Sequence, residues 1–346
     1  MLVSDMETVF VDGSTGEGGG QILRTSLALA CITGKSLHIE NIRAARRNPG
    51  LAKQHLSCVQ AACQICNGQS KGATLGSGVL DFQPGHIHGG DFYFDIGSAG
   101  SASLVIQTVL PALFLADKPS TVTVTGGTHN PLAPPFDFLY ETFLPAIADT
   151  GFQCECKLIK HGFFPAGGGK INFSIQSWQE QPDQVIDLCE ANKEPQNHAR
   201  IYTAKLPAHI AQRQQKLLLQ SKLNISDIEH IEVTDSDGPG NCVMIRLCSN
   251  RTTVFTAFGM RGKPSQEVVD EVVSFAEDFL ASGAVVDRFL ADQLLIYMAI
   301  SKAGCFTTNE LSTHLTTNIE IIKKFLAVDF NIEHREQIYR ISCEPA

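Results

Sequence analysis

The chain has 346 residues, 43% hydrophobic and 18% charged, which is enough for two domains or one large core carrying an insertion. Its formal net charge of −9 argues against a protein that coats nucleic acid nonspecifically, but it permits a local basic cleft. No membrane span is expected, because no uncharged stretch approaches ~18 apolar residues. The opening MLVSDMETVF has neither the basic region nor the apolar run of a secretory signal. The eleven cysteines are therefore expected as free thiols in the cytoplasm, or in the nucleus if the source is eukaryotic.

The stretch DGSTGEGGGQILRTSLALACITGKSLHIENIR, from Asp12, reads as a Gly/Ser turn, an apolar helix, a short turn with a lysine and an alternating strand. Asn48-Pro49 follows, then a second helix, LAKQHLSCVQAACQIC, and a strand, VLDFQP. From Ile96 the order recurs in IGSAGSASLVIQTVLPALFLADKPSTVTVTGG, followed by Asn130-Pro131, the helix FDFLYETFLPAIADTG and the strand INFSIQ. Gly-Ser, Lys and Asn-Pro fall at matching offsets. A period of roughly 80 residues is too long for a solenoid and predicts a small α/β unit used repeatedly.

The next segment is more polar and fits neither copy. Helix-like AHIAQRQQKLLLQS, strand-like EVTDSDGPGNCVMIRLCS and helical EVVDEVVSFAEDFLAS read as an inserted domain. A third copy then runs through SGAVVDRFLADQLLIYMAISKAG, CFTT, IEIIKKFL and QIYRIS. The chain is thus read as α/β, with a repeat core over 1–186 and 282–346 that carries the active site and an insertion over 187–281.

Several familiar sites fail on spacing. AGGGKI at 166–171 lacks the upstream glycine and trailing hydroxyl of a phosphate loop, and in GEGGGQ Gln21 takes the place of a dinucleotide fingerprint's third glycine. DSDGPGN puts Pro239 and Arg246 where calcium ligands belong. Cys63 and Cys66 have metal-like spacing but no second pair, and His86 and His88 lack a third ligand nearby.

Polar groups at the repeat turns remain. Glu17 lies among five glycines between Gly13 and Gly20, where the backbone can approach an anion and a carboxylate suits a divalent metal bridging phosphates. RAARRNPGLAKQHL gathers Arg43, Arg46, Arg47 and Lys53 with Gln54 and His55, the best local phosphate site in an acidic chain; a solvated charged face is the alternative. Gln107 and the pair Asp292-Gln293 sit in apolar helices. In LSTHLTTNIE, Thr317 and Glu320 resemble a capping box, so His314 is expected just outside a helix N-terminus. The partial positive charge there disfavours imidazolium and leaves the neutral ring that a nucleophile requires; a polar loop histidine satisfied by its neighbours is the alternative.

Taken together, GEGGGQILR, IRAARRNPGLAKQHL, GSAGSASLVIQTVLPAL, GGTHNPLAPP, HGFFPAGGGK, GPGN, FLADQL and HLTTNI resemble the RNA 3′-terminal phosphate cyclase family, nearly end to end and least within the insertion. The resemblance implies three repeated units, each of two helices on a four-stranded sheet, with one smaller inserted α/β domain. It implies ATP-dependent conversion of an RNA 3′-terminal phosphate to a 2′,3′-cyclic phosphate through a covalent histidine-AMP intermediate and RNA(3′)pp(5′)A. By this resemblance His314 is the adenylylated residue, while Gln107, Phe289, Leu290, Ala291, Asp292 and Gln293 hold ATP. Glu17 would place a divalent metal, Mg2+ or Mn2+, and Arg24, Arg43, Arg46, Gln54 and His55 would line the phosphate and substrate site. The partner implied is RNA with a 3′-phosphate end; the oligomeric state is left open. Phe289 departs from the tyrosine that family members can carry, although a phenyl ring still stacks on a base. A non-enzymatic cyclase-like scaffold in ribosome assembly is the main rival, and it would lack the nucleophile that this chain retains. A transferase of repeated α/β units, such as an enolpyruvyl transferase, is the second and would not need His314.

Overall fold

The computed structural model describes residues 7–179, 184–190 and 194–346. Parallel strands cannot be joined by a tight turn, and each unit solves this with a helical crossover. In the first, β1 (Thr8–Asp12) and β2 (Ser36–Glu40) pair in parallel, with α1 (Gly20–Thr33) crossing between them. Then α2 (Lys53–Cys66) leads to β3 (Gln69–Lys71) and β4 (Leu80–Gln83), which complete a sheet of order β1-β2-β4-β3. Period-two alternation buries Val9 and Val11, Leu37 and Ile39, and Leu80 and Phe82 on one face, and the helices cover that face. Gly34 ends α1 in the left-handed conformation that glycine adopts without penalty.

The second unit repeats the order. β5 (Asp91–Asp95), α3 (Ala102–Phe114) and β6 (Ser120–Gly126) make the parallel crossover. A helical run follows, α4 (Phe136–Phe138), a π-helical Leu139–Phe143 and α5 (Leu144–Ala148), before β7 (Cys154–Lys160) and β8 (Gly169–Ile175) complete the order β5-β6-β8-β7. Residues 84–90 form no strand, so His86 and His88 do not share a strand face; the His88 ring lies 3.1 Å from the Gln64 carbonyl instead.

The third unit is split. Its first strand is β9 (Asp187–Leu188), after which the chain leaves to build β10 (Gln196–Ala204), α6 (His209–Leu219), β11 (Asp227–Val233), β12 (Gly240–Cys248), β13 (Thr252–Phe258) and α7 (Ser265–Ser282). This inserted sheet has order β11-β10-β12-β13 and its own core around Ile201, Val243, Ile245, Phe255 and Val272. The chain returns through α8 (Arg288–Ser301), β14 (Cys305–Thr308), α9 (Thr313–Phe325), β15 (Val328–Arg335) and β16 (Ile338–Pro345). The order β9-β14-β16-β15 matches the other two units. Asp187 and Leu188, at the entrance of the insertion as read from sequence, pair with Cys305 and Phe306 in the core sheet; two residues are too few to show a period.

One apolar cluster runs through all three units and contains Leu23, Val109, Leu113, Leu294, Met298 and Ile322. Fully buried Tyr297 of α8 meets Phe114, Phe143 and Phe152 of the second unit edge-on, at 6.2, 5.7 and 5.1 Å. Among the described residues no helix is long and apolar enough to cross a membrane.

The insertion is anchored to the second unit by a buried carboxylate. Asp137 accepts from His129 Nε2 at 2.8 Å, from the Tyr202 hydroxyl at 2.7 Å and from Arg200 Nη1 at 2.9 Å. Burial alone would raise its pKa, but the His129, Tyr202 and Arg200 contacts outweigh burial and hold it well below the usual carboxylate range. Glu141 joins the network by pairing with both Arg200 and Arg246. Asp137→Ala removes the acceptor of His129 Nε2 and the Tyr202 hydroxyl and one of the carboxylates of Arg200, and should cost about 3 kcal/mol or more in urea unfolding; a loss below ~1 kcal/mol would contradict the anchoring role.

Candidate active site

The glycine loop between β1 and α1 is built for close approach. Gly16 has φ +53°, and a side chain there would overlap the Thr317 hydroxyl of α9. A Cβ at Gly19 would strike the Glu17 carboxylate, and one at Gly20 would overlap His55 Nε2 and press on Arg24 Nη1 at 2.9 Å. The glycines therefore let Glu17, Arg24 and His55 close over bare backbone. Glu17 is pinned at three points: its amide donates to Thr317 Oγ1 at 3.0 Å, its Oε2 accepts from the Gly19 amide at 2.7 Å, and its Oε1 pairs with Arg46.

His314 reaches this loop from the third unit. Helix α9 starts at Thr313, with the Ser312 hydroxyl accepting from the Leu315 amide at 3.2 Å, so His314 stands in its first turn rather than ahead of it. The local pattern misled because the proposed cap, Thr317, is spent on Thr313 O at 2.6 Å and on Glu17. His314 Nδ1 lies 2.7 Å from Gln21 Oε1, while Gln21 Nε2 donates to Asp292 Oδ2. An amide oxygen only accepts, so Nδ1 carries the proton and Nε2 holds the free lone pair. Desolvation lowers the His314 pKa, and Arg24 and Arg46 push the same way against the opposing charge of Glu17. The ring is therefore neutral at pH 7, and the residue remains exposed.

Around it lies a basic wall. Burial pulls the Arg24 pKa down, opposed by Cys58, Glu17 and Asp292. Burial pushes Asp292 up to about 7, with Arg24 opposing and Asp287 adding to the shift. Arg43, at φ +54°, is held by Nη1 on Gly50 O at 2.7 Å. His55 Nδ1 accepts from the Ala52 amide at 3.2 Å, which turns Nε2–H toward Gly20. Burial, then Arg24 and Arg43, press its pKa down to about 3, so His55 offers a neutral donor and no charge.

Other expected residues stand apart from this cluster. Gln54 Oε1 accepts from the Ser101 amide at 2.7 Å, which ties the first unit to the start of α3. Gln107 Nε2 donates to Gln293 Oε1, and Gln293 Nε2 donates to Phe289 O at 2.6 Å. Phe289 is 40% exposed, with the Arg288 guanidinium 4.7 Å from its ring and Phe275 of α7 edge-on at 5.9 Å. Leu290 and Ala291 point into the shared core, leaving only their backbone for a ligand. Helix α8 links the two groups, turning Asp292 toward α1 and Gln293 toward α3.

The sequence assigned no role to Gln21 or Asn318, and to Thr317 only that of a helix cap. Asn318 joins three helices, accepting from the Thr25 hydroxyl at 2.7 Å and donating to Asp292 O at 2.9 Å. A polar side chain in the first turn of an apolar helix was the signal available for Gln21. Among the described residues, the one group of three metal-type ligands is Asp187, Cys189 and Cys305, outside this site.

A neutral imidazole with one nitrogen tied off, set among arginines and a glycine-loop carboxylate, is equipped for phosphoryl or nucleotidyl transfer. The repeated α/β fold and this cluster together define a phosphate-handling enzyme. The RNA 3′-terminal phosphate cyclase family model matches residues 15–332. The RNA 3′-terminal phosphate cyclases of Pseudomonas fluorescens and Koribacter versatilis are each 43% identical to this chain, over 97% of it and over 98% and 95% of their own lengths. That of Ralstonia nicotianae is 44% identical over 93% of both chains. The chain belongs to the RNA 3′-terminal phosphate cyclase family.

The depressed pKa of His55 has a stability consequence. Between pH ~6.5 and ~3 the unfolded chain binds a proton at this residue that the folded chain refuses, so the His55 contribution to stability falls as pH falls. Relative to His55→Gln, the wild type should lose on the order of several kcal/mol across that window in urea titrations; parallel pH profiles would contradict the shift.

Proposed function

We propose that the chain converts an RNA 3′-terminal phosphate into a 2′,3′-cyclic phosphate at the expense of ATP, carrying AMP on His314 Nε2. The observation that best supports this is the contact of His314 Nδ1 with Gln21 Oε1, which leaves the other ring nitrogen unprotonated beside Arg24 and Arg46. Nε2 attacks the α-phosphorus of ATP, an N–P bond forms, and the bond to pyrophosphate breaks. Arg24, Arg43 and Arg46 meet the charge that leaves. An oxygen of the RNA 3′-phosphate then attacks the same phosphorus and breaks the N–P bond. This yields RNA(3′)pp(5′)A and restores the neutral ring. The vicinal 2′-hydroxyl, losing its proton, attacks the terminal RNA phosphorus and expels AMP. Its position on the same ribose gives a large effective concentration.

In this reading Phe289 stacks on adenine by the face opposite Arg288, and the amides of Gln107 and Gln293 hold the nucleotide with the backbone of Leu290 and Ala291. Asp292 acts through Gln21. His55 donates Nε2–H to a phosphate oxygen, and Gln54 frames the substrate side. Glu17 fits a divalent ion of the Mg2+ or Mn2+ type, because such ions take one or two carboxylates and complete their shell with phosphate oxygens and water. The ion would supply neutralisation of phosphate charge. Recognition confined to the terminal phosphate and its ribose predicts few base contacts, with RNA ends in the cytoplasm, or the nucleus of a eukaryote, as targets.

Intact-mass analysis after incubation with ATP and Mg2+ tests the reading. Wild type should gain one AMP, and His314→Ala should lose both the adduct and cyclisation. No adduct on wild type would favour the scaffold, and cyclisation by His314→Ala would overturn the mechanism. Gln21→Leu frees the tautomer that Gln21 fixes. It should slow adenylylation roughly 10- to 100-fold with little change in ATP affinity, since orientation rather than binding is lost.

A further inference from the structure

Outside the catalytic cluster, the third sheet brings two thiols together at the root of the insertion. Phe306 of β14 enters the core beneath the helices, so alternation turns Cys305 and Thr307 to the opposite face. On that face β9 contributes Asp187 and, one residue past its end, Cys189. The Cys189 and Cys305 sulfurs are 2.9 Å apart, and Cys305 Sγ lies 3.5 Å from Asp187 Oδ1. Arg340 of β16 completes the group, and Arg335 lines the same cleft of about 670 Å3. Ile338, also in the cleft, packs against the core of the insertion, so the cleft opens where the insertion meets the third sheet.

We propose that Cys189 and Cys305 are a redox-active dithiol that reacts with low-molecular-weight disulfides and closes a bond across the root of the insertion. The proposal needs no part of the adenylylation reading. Sulfurs at 2.9 Å are about 0.9 Å from the ~2.0 Å bond length, a gap that side-chain rotation can close. The pairing of Cys305 with Asp187 sets Cys189 two residues farther along, just past the end of β9, where its side chain turns back to bring the sulfurs together. Burial, then Cys189 and Asp187, push the Cys305 thiol up to about 12, so it keeps its proton at neutral pH. Arg340 shares the cleft with both sulfurs, which raise its pKa, so the guanidinium keeps its charge there. With Cys305 held protonated, Cys189 is the sulfur assigned to the first attack.

Cys189 attacks one sulfur of the external disulfide RSSR, a mixed disulfide forms, and RS⁻ leaves. Cys305 then loses its proton, attacks the Cys189 sulfur and expels the second RS⁻. In sum two protein thiols lose two electrons and two protons, and RSSR becomes two RSH. The three donor atoms of Asp187, Cys189 and Cys305, all within 4.8 Å of one another, also suit a soft cation. The Arg340 guanidinium against the sulfurs opposes a second positive charge there, which favours the redox reading.

The test treats the full-length protein with oxidised or reduced glutathione, blocks free thiols with iodoacetamide, and maps peptides. Oxidation should produce one Cys189–Cys305 cross-linked peptide that reduced glutathione reverses. Because the bond spans 116 positions and encloses the insertion, it should also raise the thermal midpoint by several degrees. Cys189→Ser and Cys305→Ser should each abolish both effects, and Cys63→Ser should retain them. Stable glutathione adducts with no internal cross-link would overturn the proposal. So would stoichiometric zinc, retained through dialysis and lost in Cys189→Ser, with thiols that resist oxidation; that result would assign the pair to a metal.

Discussion

The active arrangement depends on a polar chain set into an apolar helix junction. Gln21 of α1 spans from Asp292 of α8 to His314 of α9, so each end of its amide is committed to a different helix of the third unit. In a low-dielectric setting, leaving either end unpaired is costly, and this makes the docking register of the two units specific in a way apolar packing is not. Asn318 adds a second tie between the same three helices. The outcome is chemical as well as mechanical: the same contact that locks the helices decides which imidazole nitrogen keeps its lone pair. Burial brings the Asp292 pKa to about 7, so the acceptor at the head of the chain titrates near neutrality.

A basic cleft in a chain of net charge −9 needs local compensation. Arg24 has Glu17 and Asp292 as counter-charges, Arg46 pairs with Glu17, and Arg43 is stabilised by a carbonyl rather than a carboxylate. Glu17 therefore neutralises the wall while no phosphate is present, and it holds Arg46 close to the imidazole. His55 remains uncharged amid these cations, because burial and its two arginine neighbours all act against protonation. The site thus concentrates positive charge on groups that cannot lose it and leaves both imidazoles neutral.

Much of this was legible in the sequence where a residue type answers a local backbone need. The Gly/Ser turns, the lysine turns and the alternating strands gave the repeated unit, and the density of glycine from Gly13 to Gly20 marked the loop on which Glu17, Arg24 and His55 converge. Long-range pairings were not legible. The helix at His314 starts at Thr313 because Thr317, the apparent cap, is recruited by the Glu17 amide 300 positions away. Gln21 looked like a failed glycine motif because both of its partners lie in the third unit. Strand β9 has two residues and no period, and the Asp137 anchor draws its partners from two domains.

The position of the insertion follows from the same repeated topology. In each unit the segment between the first strand and the first helix leaves the sheet at the end of a parallel strand, where chain can be added without breaking the crossover. The first unit uses that segment for the glycine loop, the second for the short turn over 96–101, and the third for a whole domain. The last helix of that domain, α7, therefore returns directly to the start of α8. There Phe275 meets Phe289 edge-on, and the Arg288 guanidinium lies beside both rings, 5.0 and 4.7 Å from their centroids. The insertion is thus tied to the exposed ring of Phe289 by the shortest chain path the fold offers. Asp137 holds Arg200 and Tyr202 on one face of the inserted sheet, whose other face packs Ile201 with Val272 of α7.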